Sequence, residues 1–145
     1  MSKINFFNAD QTFRFQNKSL LKEWIEACFR KEKRKLENIS YIFCSDEYLL
    51  EINKQFLNHD YYTDIITFDL SDSEKISAEI YISLDRVKDN AISLNVAYKK
   101  ELLRVLIHGA LHLCGYKDKQ KKDTLIMREK EEWQIEKFYS LQKKS

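Results

Sequence analysis

The sequence contains no proline and only two glycines among its 145 residues. Without proline-, glycine- or serine-rich stretches it offers no linker, low-complexity tract or internal repeat, so we expect one domain spanning residues 1–145. No apolar run approaches the roughly 20 residues of a membrane span, and the N-terminus lacks the features of an export signal. These absences predict a cytoplasmic protein that does not bind membranes.

Cysteine and net charge are also scarce. Cys28, Cys44 and Cys114 are odd in number, scattered and set among apolar neighbours, which predicts reduced core cysteines. A net charge of +2 is too small to indicate nucleic-acid binding by itself. Basic runs occupy residues 30–35 and 117–122, and each is either a solvated face or a set of phosphate contacts.

Hydrophobic periodicity predicts an α+β fold. We expect about four strands in a mixed sheet covered by helices, with a central helix that carries the metal site described below at its end. Candidate strands cover residues 3–7, 12–16, 39–44, 64–70 and 77–83, and candidate helices cover 17–36, 46–57, 83–94, 97–114 and 123–141. Residues expected to face inward include Phe56, Leu125, Ile126 and Trp133. The helix over 97–114 is apolar on most sides and is therefore predicted to lie in the middle of the domain.

Both glycines and two of the three histidines lie between His108 and Asp118. His108 and His112 are four residues apart, so on a helix both imidazoles project from one face and can bind one ion. Gly115 suits the positive φ that ends a helix, and the turn can return Asp118 toward the rings. Cys114 lies on nearly the opposite side of the helix. The sequence therefore predicts a divalent metal bound by His108, His112 and Asp118.

Three protein ligands would leave a fourth position for water, whose pKa a metal can lower to about 7 for attack on phosphorus. We assign no catalytic side chain beyond that water. Arg104, Lys117 and Lys119 are close in sequence to the ligands, so they are candidates to offset negative charge in the transition state. Gly109 occupies the position at which His-Glu-x-x-His proteases carry their general base, which disfavours peptide hydrolysis.

The run from His108 to Tyr116 resembles the signature of the YbeY family, His-Gly-x-Leu-His-Leu-x-Gly-Tyr. Two weaker similarities, over residues 57–68 and 78–83, extend the resemblance to roughly residues 40–135. It implies a zinc-dependent single-strand endoribonuclease that acts in ribosomal RNA maturation. The implied partners are ribosomal RNA, the small ribosomal subunit and ribosome-associated proteins. With RNA as the implied substrate, the candidate RNA contacts are Arg104, Lys117 and Lys119.

Two positions depart from the family pattern. Asp118 stands where the family usually has its third histidine. A carboxylate in place of an imidazole favours binding of manganese or iron(II) relative to zinc. Leu57 stands where the family often has an arginine implicated in activity. This second departure favours an alternative hypothesis, a ribosome-associated assembly or quality-control factor whose metal is mainly structural. An iron(II) oxygenase is a third hypothesis, since two histidines and one carboxylate suit it, but no cosubstrate site is recognisable.

Overall fold

A computed structural model describes residues 3–144, which form one mixed sheet and the helices packed around it. The elements in chain order are β1 (Ile4–Asn8), α1 (Lys18–Lys31), β2 (Leu36–Cys44), α2 (Asp46–Leu57), β3 (Ile65–Asp69), β4 (Ile76–Ser83), α3 (Leu84–Leu94), α4 (Tyr98–Leu113) and α5 (Lys121–Lys144). The predicted α+β class with a four-stranded mixed sheet is confirmed. Within the described range, no helix combines the length and apolar character that a membrane span needs.

The sheet has the strand order β1-β2-β4-β3. β1 runs parallel to β2, and β2 runs parallel to β4. β3 is antiparallel to β4 and lies at one edge, so these two strands form a hairpin. Alternate residues of β2, Ile39, Tyr41 and Phe43, are fully buried, as expected for a strand with one face toward a core.

α4 is the central helix that the sequence predicts. It contacts α1, α3 and α5 as well as β3 and β4. Tyr41 on β2 donates a hydrogen bond from its hydroxyl to the Leu106 carbonyl at 2.9 Å. Gly109 packs directly on the sheet, because a Cβ there would lie 3.0 Å from Ile65 Cδ1 and 3.1 Å from Ile80 Cδ1. A side chain at residue 109 would press on both isoleucines, so glycine favours this close approach of α4 to the sheet.

Three helices begin at short polar side chains that cap them. Asn17 accepts a hydrogen bond from the Leu20 amide, Ser45 accepts from Tyr48, and Ser83 accepts from Arg86. These side chains satisfy amide groups that have no partner within the first helical turn.

The strand predicted for residues 12–16 is wrong. In the described structure this segment is an irregular connection. Phe13 is buried because its ring stacks on Phe43 with centroids 4.0 Å apart, and its amide donates to Asn8 Oδ1 rather than to a strand partner. Its aromatic residues therefore fill the core without pairing the backbone.

The predicted end of α1 is also wrong. The helix ends at Lys31 rather than near Leu36, because Lys33 adopts the left-handed φ of 58°. The Arg34 amide donates to the Phe29 carbonyl across this turn, and β2 then begins at Leu36.

Four apolar residues predicted to face inward are exposed instead, namely Phe56, Leu125, Ile126 and Trp133. The buried face of α5 is formed by Met127, Glu131, Gln134, Ile135 and Phe138. The large apolar residues of α5 were predicted to be buried, but the buried face of this helix includes the polar side chains of Glu131 and Gln134. Gln134 lies against α1, where its carbonyl accepts a hydrogen bond from the Trp24 indole at 2.8 Å.

Candidate metal centre and active-site cavity

The C-terminal half of α4 borders a cavity of about 430 Å³ that we call the site cavity. The start of β3 and the residues before it, the loop after α4 and the first half of α5 complete its walls. Its lining residues are Thr63, Asp64, Ile65, Thr67, Arg104, Val105, His108, His112, Asp118, Thr124, Met127, Arg128 and Glu131. The three predicted metal ligands and the predicted RNA contact Arg104 therefore share one cavity.

The turn after α4 is the one that the sequence predicts. Gly115 has a φ of +109°, and the Gly115 and Tyr116 amides donate to the carbonyls of His112 and Leu111. This turn satisfies carbonyl groups at the helix end and reverses the chain. Asp118 Oδ2 consequently lies 3.3 Å from His108 Nε2.

Both imidazoles are oriented through their Nδ1 atoms. His108 Nδ1 lies 2.6 Å from Glu131 Oε2, and His112 Nδ1 lies 3.1 Å from the Tyr116 carbonyl oxygen. Since a carboxylate and a carbonyl only accept hydrogen bonds, each Nδ1 carries a proton in these contacts. The lone pair of each neutral ring is then on Nε2. Metal-binding histidines are typically held in this way by an oxygen acceptor behind the ring.

The predicted ligands, two imidazoles and one carboxylate, are of the types that bind a divalent ion, but the three side chains are not arranged around one common point. Two ligand atoms about 2.0 Å from one tetrahedral ion lie roughly 3.3 Å apart. The separation of 3.3 Å between His108 Nε2 and Asp118 Oδ2 matches this value. Over residues 3–144, however, no group of three or more His, Cys, Asp or Glu side chains is arranged to hold a metal. Binding by all three predicted ligands therefore stays a prediction.

Arg104 is enclosed by carboxylates. Its Nε donates to Glu101 Oε1 at 2.9 Å, its Nη1 lies 3.7 Å from Glu131 Oε1, and its Nη2 lies 3.6 Å from Asp64 Oδ2. Burial opposes the charge of Arg104, but these three carboxylates outweigh it and raise the pKa above the ordinary value. Arg104 is a cation whose charge is already balanced within the protein. Its predicted contact with RNA is untested.

Glu131 and Arg128 also line this cavity, although neither was among the predicted site residues. Glu131 is only 2% exposed and supports His108, and Arg128 adds a second arginine to the wall. Glu131 lies four residues after Met127 and four before Ile135, both buried, so this spacing could have placed it on the inner face of α5. A carboxylate on a buried helical face is rare unless it has a partner, and the partner here is a histidine.

The other predicted contacts lie outside the cavity walls. Lys117 and Lys119 are exposed on either side of Asp118 in the loop between α4 and α5. Leu57 is the last residue of α2 and is exposed. The contacts of Lys117 and Lys119 with RNA remain predictions.

The sequence matches the family model described as Endoribonuclease YbeY over residues 3–139. A protein named Endoribonuclease YbeY from Cytophaga hutchinsonii is 51% identical over 130 residues, which cover 89% of this chain and 91% of that protein. Its namesake from Flavobacterium psychrophilum is 45% identical over 133 residues, with 92% of this chain and 95% of the relative covered.

Among solved structures, the solution structure of TM1509 from Thermotoga maritima has a TM-score of 0.66 and 31% sequence identity. The match covers 97% of this chain and 92% of that one. Sequence and fold therefore agree over almost the whole length, and the resemblance suggested by the histidine motif is confirmed. The chain belongs to the YbeY family.

Proposed function

We propose that this chain is a metal-dependent endoribonuclease that cleaves single-stranded RNA during ribosomal RNA maturation. The RNA substrate is proposed from the names of the relatives, each called an endoribonuclease. The hydrolytic metal is proposed from the site. One observation carries it: oxygen acceptors fix both Nδ1 atoms, so that both Nε2 atoms are available to an ion.

His108, His112 and Asp118 are the proposed ligands, and zinc is the proposed ion, with manganese or iron(II) as alternatives because one ligand is a carboxylate. A bound divalent ion would polarise a phosphoryl oxygen and lower the pKa of a coordinated water toward about 7. Glu131 holds the His108 ring through Nδ1, so that Nε2 is turned toward Asp118. Arg104 offsets the negative charge of the buried Glu131 and Glu101 carboxylates.

Arg128 is the other arginine in the wall of the site cavity, and its side chain is exposed. We propose that Arg128 contacts a non-bridging oxygen of the scissile phosphate, because Arg104 is already enclosed by carboxylates. The proposed partners are ribosomal RNA in the small ribosomal subunit and proteins bound to it. The proposed place of action is the cytoplasm.

A second candidate function is that of an assembly or quality-control factor that binds the ribosome and turns over little RNA. Leu57 favours it, because an apolar side chain stands where the family often carries an arginine implicated in activity. In this reading the metal chiefly fastens the end of α4 to the loop that carries Asp118.

Elemental analysis of protein purified without added metal, paired with a cleavage assay, separates the two candidates. The assay uses single-stranded RNA with and without a chelator. The endonuclease hypothesis expects about one divalent ion per chain and internal cleavage that stops on chelation and returns when metal is restored. Stoichiometric metal without cleavage supports the assembly factor. A protein that cleaves equally well after complete metal removal would contradict both.

A further inference from the structure

A second cavity, of about 420 Å³, opens where the end of α1 meets the beginning of β2. We call it the basic groove and define it by its five cationic side chains, Lys3, Arg30, Arg34, Lys35 and Lys75. Glu26 and Glu37 are the carboxylates in its wall. All five cations are exposed, so their charges face any ligand that enters the groove.

The groove concentrates the positive charge of the molecule. Five cations against two carboxylates give a net charge of +3, whereas the whole chain carries only +2. Lys35 also pairs with Glu74 at 3.0 Å. Both side chains of that pair are exposed, and exposed ion pairs contribute little stability, so a stronger anion can displace Glu74 from Lys35.

The site cavity has the opposite balance. Arg104 and Arg128 face Asp64, Asp118 and Glu131, which leaves a net charge of −1 when the histidines are neutral. A negative cavity repels phosphate until a metal ion is present. Long-range attraction of a polyanion would therefore come mainly from a basic surface outside the cavity.

Arg34 connects the two regions. Its Nη2 donates to the Cys114 carbonyl at 3.0 Å, and a Cβ on Gly115 would lie 3.2 Å from the same nitrogen. The next residue, Tyr116, accepts the hydrogen bond from His112. The basic groove therefore begins beside the turn that positions a predicted metal ligand.

We propose that the basic groove binds the phosphodiester backbone of single-stranded RNA on one side of the scissile phosphate. This inference rests on the proposed function, since it takes RNA as the substrate. The strand crosses the Gly115 turn between the two regions. The groove supplies affinity through phosphate contacts, and the site cavity supplies the chemistry. Substrates too short to reach the groove bind weakly but are cleaved at the same maximal rate.

The test removes three groove charges with the triple variant Lys3→Gln, Arg30→Gln and Lys75→Gln. Arg34 and Lys35 stay unchanged, because Arg34 supports the Gly115 turn and Lys35 pairs with Glu74. The matched control removes three exposed charges from α3 and α5, namely Lys88→Gln, Lys137→Gln and Lys143→Gln. Circular dichroism checks that both variants are folded.

Binding of a 12-nucleotide single-stranded RNA is measured across salt concentrations for parent, groove variant and control. Each lost phosphate contact lowers the salt slope by about 0.7, so three lost contacts lower it by about two units. We expect the groove variant to bind at least about tenfold more weakly at 50 mM salt. For cleavage we expect a raised KM, an unchanged kcat, and equal kcat/KM on a trinucleotide that fills only the site cavity.

The assignment would be overturned by a groove variant with the affinity and salt slope of the parent, or by a control that loses as much affinity as the groove variant. A parent protein that binds no single-stranded RNA would also overturn it. If the parent binds RNA through the groove but cleaves none, the groove assignment is supported and the endonuclease proposal fails. The two proposals are therefore separable in one set of measurements.

Discussion

The site cavity and the basic groove are about equal in volume but opposite in construction. In the cavity, Arg104 is partly buried and is held by the carboxylates of Glu101, Glu131 and Asp64. In the groove, the cations are exposed. Burial and pairing fix geometry, which catalysis needs, whereas exposed like charges attract a polyanion over a distance. The site cavity is therefore built to hold side chains in fixed positions, whereas the basic groove is built to attract a polyanion.

The largest effect is expected from the double substitution His108→Ala and His112→Ala. Loss of an outer hydrogen-bond partner costs about 10- to 100-fold in metal affinity, and loss of two ligands should cost more. We expect no stoichiometric metal by elemental analysis and no detectable cleavage, while RNA affinity through the basic groove is kept. His59→Ala is the control, because His59 is exposed and stacks on Tyr61. Unchanged metal content in the double variant would show that the ligand assignment is wrong.

A smaller effect is expected from Glu131→Ala, which removes the acceptor behind His108. The ring can then place its proton on Nε2 and donate to Asp118, which blocks the metal-binding lone pair. We expect metal affinity to fall about 10- to 100-fold. Long-range proton–nitrogen NMR of the metal-free protein should show His108 changing from the Nδ1–H to the Nε2–H tautomer.

Two further variants isolate this effect. Glu131→Gln keeps an oxygen acceptor and should lose less affinity than the alanine variant. Glu136→Ala removes an exposed carboxylate from the same helix and should change neither affinity nor tautomer. A parental tautomer in Glu131→Ala would mean that Glu131 does not orient the ring.

Asp118→His should change metal preference rather than total binding. A borderline-soft nitrogen replaces a hard oxygen, so the ratio of zinc to manganese affinity should rise severalfold. Competition titration with a chromophoric chelator measures this ratio. Asp123→His, placed at the start of α5, is the control. If the ratio is the same before and after the change, Asp118 is not a ligand.

The smallest effect is expected from Lys117→Ala combined with Lys119→Ala, in the loop beside the site cavity. Two lost phosphate contacts should flatten the salt dependence of RNA binding by about 1.4 units without expelling the metal. The groove variant should flatten it more, and the comparison of the two slopes ranks the two surfaces. A parental slope in the lysine variant would show that this loop is only a solvated face.

The fold was largely predictable because its signals are local. Capping residues mark the starts of α1, α2 and α3, and the apolar character of residues 97–114 marks the central helix. The errors arose where tertiary contacts, rather than local sequence, determine burial or backbone conformation. Phe13 is buried by stacking on Phe43, which no alternation pattern reveals. Lys33 ends α1 in a left-handed conformation. A lysine in the sequence does not indicate this conformation, because glycine and asparagine are the residues that favour it.

In the site cavity, the local part was predictable and the long-range part was not. The spacing of His108 and His112 and the turn at Gly115 lie within one segment, so the approach of Asp118 to His108 followed from helix geometry. Glu131 and Arg128 arrive from α5, and Asp64 arrives from the residues before β3. Their presence depends on how α5 and the sheet edge pack against α4, which a single sequence does not encode in any local pattern.

The close contact of Gly109 with Ile65 and Ile80 has an evolutionary consequence. A glutamate at this position would convert the motif into the His-Glu-x-x-His pattern of zinc proteases by one substitution. In this fold, however, that side chain would enter the interior between the helix and the sheet, where an unpaired carboxylate is strongly disfavoured. The packing of α4 on the sheet thus disfavours the single substitution that would give this fold the zinc-protease motif, even though the two histidines already have the required spacing.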